Sequence, residues 1–241
     1  MSKGTRAKKP EVTERIQKEV VQKKGPIKYN IELNEEQKQA KRYILEKQIT
    51  ILTGKAGSGK TLAAVATALD MLHKKEIKKV YITRPVVTRE DLGFLPGDIA
   101  DKLDPFLIPI YDNLSRFYNE EAIKKLVENK SIDIAPIAFM RGRTIEDGIL
   151  IIDEAQNVDH ESLKMCLTRI GKSGKIVVCG DTAQIDLKKK QHSGLAFLVE
   201  ISSKIEGMQH MELKTNHRNP IVEEILKFYE EKEENDKKVT K

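Results

Sequence analysis

Eight consecutive residues, Gly54-Lys55-Ala56-Gly57-Ser58-Gly59-Lys60-Thr61, constrain this chain more than any other stretch. They match the phosphate-cradling loop at each of its fixed positions, Gly54, Gly59, Lys60 and Thr61. Such a loop works only where a strand runs in and a helix runs out. Gln48 to Thr53 is short and β-branched, and Thr61 to Leu69 is alanine-rich and reads as helix. The glycines let main-chain N–H groups turn inward around phosphate oxygens, where a side chain would block the approach. The helix N-terminus adds partial positive charge at the same point. This pattern predicts that residues 54–61 hold a nucleoside triphosphate, with Lys60 reaching the β- and γ-phosphates and Thr61 offering its hydroxyl to magnesium.

A second motif, Ile149-Leu150-Ile151-Ile152-Asp153-Glu154, follows after roughly ninety residues. An isolated acidic pair is usually a solvated turn. Here an uninterrupted apolar run precedes it, as in a central strand buried on both faces. Carboxylates at the C-terminal end of such a strand stand where ligands bind in open α/β sheets. Asp153 is therefore assigned to the metal and Glu154 to the water that it would orient and deprotonate. A third strand, Lys175 to Cys179, leads into Gly180-Asp181-Thr182-Ala183-Gln184, where Gln184 can sense a γ-phosphate.

Alternation of apolar strands with helical segments predicts an α/β fold, a mostly parallel sheet covered by helices on both faces. Strands are expected at 49–53, 79–83, 132–135, 149–153, 175–179 and 208–213. Helices are expected from Asn34 to about Lys47 and at about 61–75, 98–116, 119–129, 160–170, 192–204 and 220–234. Pro105 and Pro109 should break or kink the segment that contains them. Residues 31–230 are expected to form one core, between an arm at 1–30 and a charged tail at 231–241 that should fray.

Charge separates the arm from the core. The formal excess of +6 lies entirely in residues 1–30, which hold nine Lys/Arg and three Glu. Basic arms often contact nucleic acid, and solvated tails carry the same composition. Cys166 and Cys179 are too few for a disulfide framework or a zinc site, and read as buried residues of a protein in a reducing, cytoplasmic setting. No stretch approaches the ~18 apolar residues of a membrane span, so no membrane partner is expected.

These elements, in this order, resemble superfamily one helicases, and more closely the PhoH-like family. The marks of that family stand here as Ile82-Thr83-Arg84-Pro85-Val86-Val87, Leu92-Gly93-Phe94-Leu95-Pro96-Gly97-Asp98, Met140-Arg141-Gly142-Arg143-Thr144, Ile151-Ile152-Asp153-Glu154-Ala155-Gln156-Asn157 and Gly180 to Leu187, then Ser193-Gly194-Leu195. The resemblance implies a P-loop NTPase with a single RecA-like core, using ATP and magnesium and linked to RNA. Two departures stand out: Lys188-Lys189-Lys190 follows Leu187 where the family has proline, and His217-Arg218-Asn219-Pro220 replaces an Arg-His-Pro run.

The resemblance also implies roles. Gln37, in Leu33-Asn34-Glu35-Glu36-Gln37, looks like the adenine-reading glutamine, although Asn34-x-x-Gln37 also reads as a capping box. Arg218 falls at the position of an arginine finger. A single core leaves the γ-phosphate open on one side, so Arg218 is expected to reach the site of an adjacent copy in a ring, six copies by the resemblance. Arg84, Arg141 and Arg143 stand on loops at strand ends, where a guanidinium fork matches phosphate oxygens. Arg84 and Arg141 are assigned to single-stranded RNA or DNA, and Arg143 to nucleotide. A small-molecule phosphotransferase and a non-catalytic nucleotide-switched assembly module use the same loop and remain the alternative readings.

Overall fold

Strand formation here follows from two-sided burial. A computed structural model describes residues 31–86, 99–185, 187 and 192–239, with side chains in parts of the helices at 99–114 and 220–239 excepted. The arm at 1–30, the motif at 92–98 and Lys188–Lys190 lie outside the described residues. Six parallel strands form one sheet: β1 (Ile49–Thr53), β2 (Lys79–Arg84), β3 (Ile132–Pro136), β4 (Gly148–Ile152), β5 (Lys175–Gly180) and β6 (Met208–Glu212). Their spatial order is β3-β2-β4-β5-β1-β6.

Successive side chains of a strand point to opposite faces, and each face has its own apolar core. On one side Leu52, Val80, Ile82, Ile149, Ile151 and Val177 pack beneath α1 (Glu35–Glu46), α2 (Lys60–His73), α3 (Ile99–Leu114) and α4 (Glu120–Glu128). On the other, Ile51, Leu150, Ile152, Ile176 and Val178 meet α5 (His160–Leu167) and α6 (Gly194–Ser202). A parallel sheet needs this double cover, and β4, buried at all five positions, shows why its sequence is unbroken apolar rather than alternating. The α/β expectation holds, and the strand boundaries fall within a residue of those read from the sequence.

Two helices depart from expectation. α3 runs from Ile99 to Leu114 without interruption at Pro105 or Pro109. Each proline removes one main-chain donor, but Leu107, Ile110 and Leu114 are buried on the sheet and hold the helix in place. The carbonyl of Pro109 accepts a hydrogen bond from Asn113 Nδ2 at 2.9 Å. The last helix, α7 (Pro220–Val239), stays helical through residues 231–239, where fraying was expected. Glu and Lys, which dominate that stretch, are good helix formers. Its side chains Ile221, Ile225, Phe228 and Tyr229 are exposed.

Cys166 and Cys179 are free thiols, buried on α5 and β5. Burial pushes the Cys166 thiol up to about 12, so it is chemically inert in the folded chain.

Truncating Ile151, fully buried at the centre of the sheet, should destabilise the protein by about 2–5 kcal/mol as Ile151→Ala. Phe228→Ala, on an exposed helix face, should stay within about 0.5 kcal/mol. Urea denaturation followed by circular dichroism checks both, and equal losses would contradict the two-core architecture.

Candidate functional site: a phosphate cradle facing two carboxylates

β1 ends at Thr53, and the chain turns through Gly54, Gly57 and Gly59, all with positive φ (140°, 90° and 83°). At all three the need for glycine is also steric. A Cβ on Gly54 would lie 2.2 Å from the Leu213 carbonyl oxygen, one on Gly59 2.2 Å from Gln37 Nε2, and one on Gly57 2.6 Å from Arg218 Cγ. Gly59 is the N-cap of α2 and offers no side-chain cap. The first N–H groups of that helix are therefore left for a ligand, which makes an anion site of the helix start. The Lys60 ammonium donates to the carbonyls of Gly54 (2.6 Å) and Lys55 (3.0 Å) and to Ser58 Oγ (3.4 Å). Phosphate oxygens are the natural replacements for those carbonyls.

β5 lies between β1 and β4, so the loop and the acidic pair are two strand spacings apart, roughly 10 Å. The first helical turn of α2 closes that gap. Thr61 Oγ1 donates to Asp153 Oδ1 at 2.6 Å, joining residues 92 apart in sequence. Asp153 is buried, and its carboxyl is held above the ordinary range of 3.8. Burial is the leading cause and the Glu154 charge adds to it, while the Thr61 hydrogen bond and Arg84 pull the other way. Asp153 is anchored in turn by its N–H, which donates to the Thr83 carbonyl of β2 at 2.9 Å.

Glu154 adopts a left-handed backbone (φ 51°, ψ 40°), uncommon outside glycine and concentrated at functional positions. Gln156 Nε2 donates to Glu154 Oε2 at 2.6 Å, and Gln156 Oε1 accepts from the Asp181 N–H at 3.0 Å. One glutamine thus ties the acid pair to the loop that carries Gln184. Glu154 Oε1 lies 3.7 Å from Arg84 Nη2.

A cleft of about 600 Å³ unites these groups. Ala56, Gly57, Gly59, Lys60, Thr61, Asp153, Glu154, Gln184, Gln37 and Arg218 all line it. Gly54, Lys55 and Ser58 complete the turn beneath. The capping box also forms: Asn34 Oδ1 accepts from the Gln37 N–H (2.7 Å) and Gln37 Oε1 from the Asn34 N–H (3.1 Å). Gln37 therefore presents its amide donor to the cleft while its acceptor is engaged at the cap.

Within the single chain, Arg218 lies across Gly57 of its own loop, because the segment after β6 is pinned there. The His217 N–H donates to the Gly57 carbonyl (3.1 Å), His217 Nε2 meets Asn34 Nδ2 (2.9 Å), and Glu36 Oε2 accepts from the N–H groups of Lys214 (3.1 Å) and Thr215 (2.9 Å). Arg143, assigned to nucleotide, is not in the cleft. It donates to Asp133 Oδ2 at 2.5 Å on β3, the strand at the far edge of the sheet, where Lys79 shares the same carboxylate at 3.2 Å. Arg141, by contrast, is exposed on the turn after β3.

Sequence reading missed several cleft residues. Gln156 and Asp181 stood inside recognised motifs but had no assigned role. Asn113 and Arg116 come from the end of α3 and its following turn, and His217 from the segment after β6; no local pattern marks them. Asp181 is the most informative. It is buried and Oδ1 accepts from the Ala183 N–H (2.9 Å), yet Oδ2 has no hydrogen-bond partner among the described residues. A buried acceptor that lines the same cleft as the Asp153 carboxylate and the Thr61 hydroxyl fits the outer, water-mediated shell of a hydrated divalent cation. Magnesium takes one or two protein oxygens and completes its shell with water and phosphate. Accordingly, the described residues hold no cluster of three or more ligating side chains. They also include no helix long and apolar enough to cross a membrane.

A parallel sheet with a glycine cradle after one strand, an acid pair after another and a third strand between them defines a P-loop nucleotide-binding domain of RecA-like type. The sequence profile described as PhoH-like protein matches residues 31–230, and the chain belongs to that family. It is 44% identical over 180 residues to a PhoH-like protein of Bacillus subtilis, covering 73% of this chain and 56% of that one. It is 43% identical over 170 residues to Protein PhoH of Escherichia coli K12, covering 69% and 48%. The chain thus spans about half the length of these relatives. Among solved structures, it is similar to the UvsW helicase of bacteriophage T4, with TM-score 0.47, 14% identity and coverage of 86% and 69%. The Pif1 helicase of Candida albicans gives 0.40, 20%, 78% and 41%.

The raised carboxyl of Asp153 has a consequence for stability. Its ionisation penalises the ligand-free fold once pH rises above the ordinary value of 3.8, and the penalty is complete above the raised folded-state value. Asp153→Asn removes it. Without ligand, the variant should melt at a higher temperature than the parent at pH 7, with the gap closing as pH falls toward 4. A gap that widens on acidification would contradict this reading of the site.

Proposed function

We propose that this protein hydrolyses ATP with magnesium and couples the cycle to binding, remodelling or translocation of single-stranded nucleic acid, RNA in preference to DNA. The observation that carries the reading is the 2.6 Å contact of Thr61 with Asp153 in one cleft with Lys60 and Glu154. It brings a triphosphate grip and an acid pair to one place. Thr61 and Asp153 would hold the ion, with Asp181 accepting from its waters; the ion would neutralise charge on the β- and γ-oxygens. Lys60 would leave the loop carbonyls for phosphate. Glu154 would take the proton of the attacking water as its oxygen joins phosphorus and the bond to ADP breaks. Gln184 faces the same space and would report the γ-phosphate, and the Gln37 amide would donate to the purine ring.

Nucleic acid enters the proposal through Arg84 and Arg141. Arg84 pairs in register with Pro136, and the turn carrying Arg141 leaves the sheet directly after it. Both arginines therefore stand at the C-terminal edge of adjacent strands, on the same edge as the cradle. Assembly into a ring of identical copies, six by the family resemblance, belongs to the same proposal, as does a cytoplasmic setting for its two free thiols. The ring would share its active sites, with Arg218 serving a neighbour's γ-phosphate, so mixing Arg218→Ala with Lys60→Ala subunits should restore activity; no restoration would leave Arg218 acting on its own loop.

The decisive measurement is phosphate release from Mg-ATP with and without single-stranded RNA or DNA. Glu154→Gln should lower turnover by about 10²–10⁴-fold while fluorescent ATP still binds, and Lys60→Ala should weaken binding itself. A phosphorylated small-molecule product would favour a phosphotransferase, and binding without turnover a nucleotide-switched assembly module.

A further inference from the structure

The acid that would activate water is already occupied. Glu154 offers two carboxylate oxygens: Oε2 accepts from Gln156 at 2.6 Å, and Oε1 faces Arg84 at 3.7 Å. Among the described residues, Arg84–Glu154 is the one ion pair that touches the cleft. The side chains are 26% and 39% exposed, so water and ligands reach both. A general base must accept the water's proton within about 2.6–3.2 Å, and a guanidinium standing at Oε1 competes for that position.

Arg84 also stands at the boundary between two surfaces. It ends β2, whose neighbours are β4, carrying Glu154, and β3, carrying the turn to exposed Arg141. On one side its Nη2 lies 3.7 Å from a carboxylate oxygen, and on the other it lies at the arginine-bearing edge. Guanidinium groups bind phosphodiester and carboxylate oxygens with the same geometry, so Arg84 can serve one partner fully or the other.

We propose that Arg84 is a positioning residue that restrains Glu154 when no nucleic acid is bound, and that a phosphodiester of a single strand draws it away. Glu154 Oε1 is then free for the attacking water. The proposal rests on the ATPase reading above and supplies what that reading lacks, a reason for nucleic acid to accelerate hydrolysis. The covalent chemistry is unchanged: water oxygen joins the γ-phosphorus, ADP departs, and the water's proton passes to Glu154. What changes is the fraction of molecules in which Glu154 can receive it. Partly exposed ion pairs shift such equilibria by about two- to fivefold.

The test uses the full chain with Mg-ATP, with and without a single-stranded RNA of stated sequence and its DNA counterpart. Arg84→Ala should raise turnover without nucleic acid by about two- to fivefold, toward the stimulated rate of the parent. It should also lose most stimulation and bind the strand less tightly, with the KM for ATP little changed. Arg84→Lys, which keeps the charge but not the fork, should lie between. Binding of fluorescent ATP shows that each variant is folded. If the parent hydrolyses ATP but Arg84→Ala is no faster without nucleic acid, the restraint is disproved while the ATPase reading stands. If Arg84→Ala is faster yet stimulated as fully as the parent, the phosphodiester is not what moves Arg84, and the proposal fails. If parent and variant are both inert, the ATPase reading fails and this proposal with it. RNA and DNA arms that behave alike identify the shared phosphodiester as the trigger, whereas a response to one alone overturns a trigger based on phosphate only.

Discussion

Thr61 donating to Asp153 is the contact on which the site depends. The two residues are 92 positions apart and follow strands that do not touch, since β5 separates β1 from β4. Sheet spacing alone would leave a gap of roughly 10 Å. A phosphate bound by main-chain amides at the start of α2 would keep uncompensated charge, which a divalent cation held by Thr61 and Asp153 would neutralise. The inserted strand makes room for them, and the threonine at the first turn of α2 spans what remains. Without β5 between them, the cradle and the carboxylates would crowd into one strand spacing. With β4 one place further out, no single side chain would bridge them.

Several local arrangements are unfavourable in isolation. Asp153 is buried, with its carboxyl held above the usual range. Glu154 has a left-handed backbone, a conformation that costs about 1–3 kcal/mol outside glycine. Asp181 carries a buried oxygen with no partner among the described residues. All three lie at the C-terminal ends of β4 and β5, where the apolar runs Ile149–Ile152 and Ile176–Cys179 are buried. The sheet is most firmly packed just where the backbone is least comfortable. That packing allows acidic side chains to be held in place before a cation or phosphate compensates them.

Much of this was legible in the sequence. The glycine loop announces itself because phosphate binding demands residues without side chains at fixed offsets, and Gly57 and Gly59 meet that demand doubly, through positive φ and through the close approach of Arg218 and Gln37. β4 was legible because a strand covered on both faces must be apolar throughout. What escaped notice was whatever depends on through-space pairing. Arg143 had the composition of a phosphate ligand, but Asp133 on an edge strand satisfies it first. That Arg218 lies over Gly57 could not be read locally, because Glu36 and Asn34, far away in sequence, hold the segment after β6 in place. Pro105 and Pro109 looked like breaks because a local rule ignores the burial of Leu107, Ile110 and Leu114. In each case a partner distant in sequence outweighed a local signal.

The sheet order also bears on how two ligands can communicate. β4 has β2 on one side and β5 on the other. Glu154, at the end of β4, meets Arg84 of β2 through one oxygen and, through Gln156 at the other, the Asp181 N–H at the end of β5. The loop that carries Gln184 and the proposed nucleic-acid edge are therefore each a single strand spacing, about 4.8 Å, from the same carboxylate. Coupling between distant sites needs a chain of elements with two arrangements each. Here the chain shrinks to one side chain with two competing partners. A single core can then link nucleotide state to strand binding through a guanidinium and an amide, without a second domain closing over the cleft.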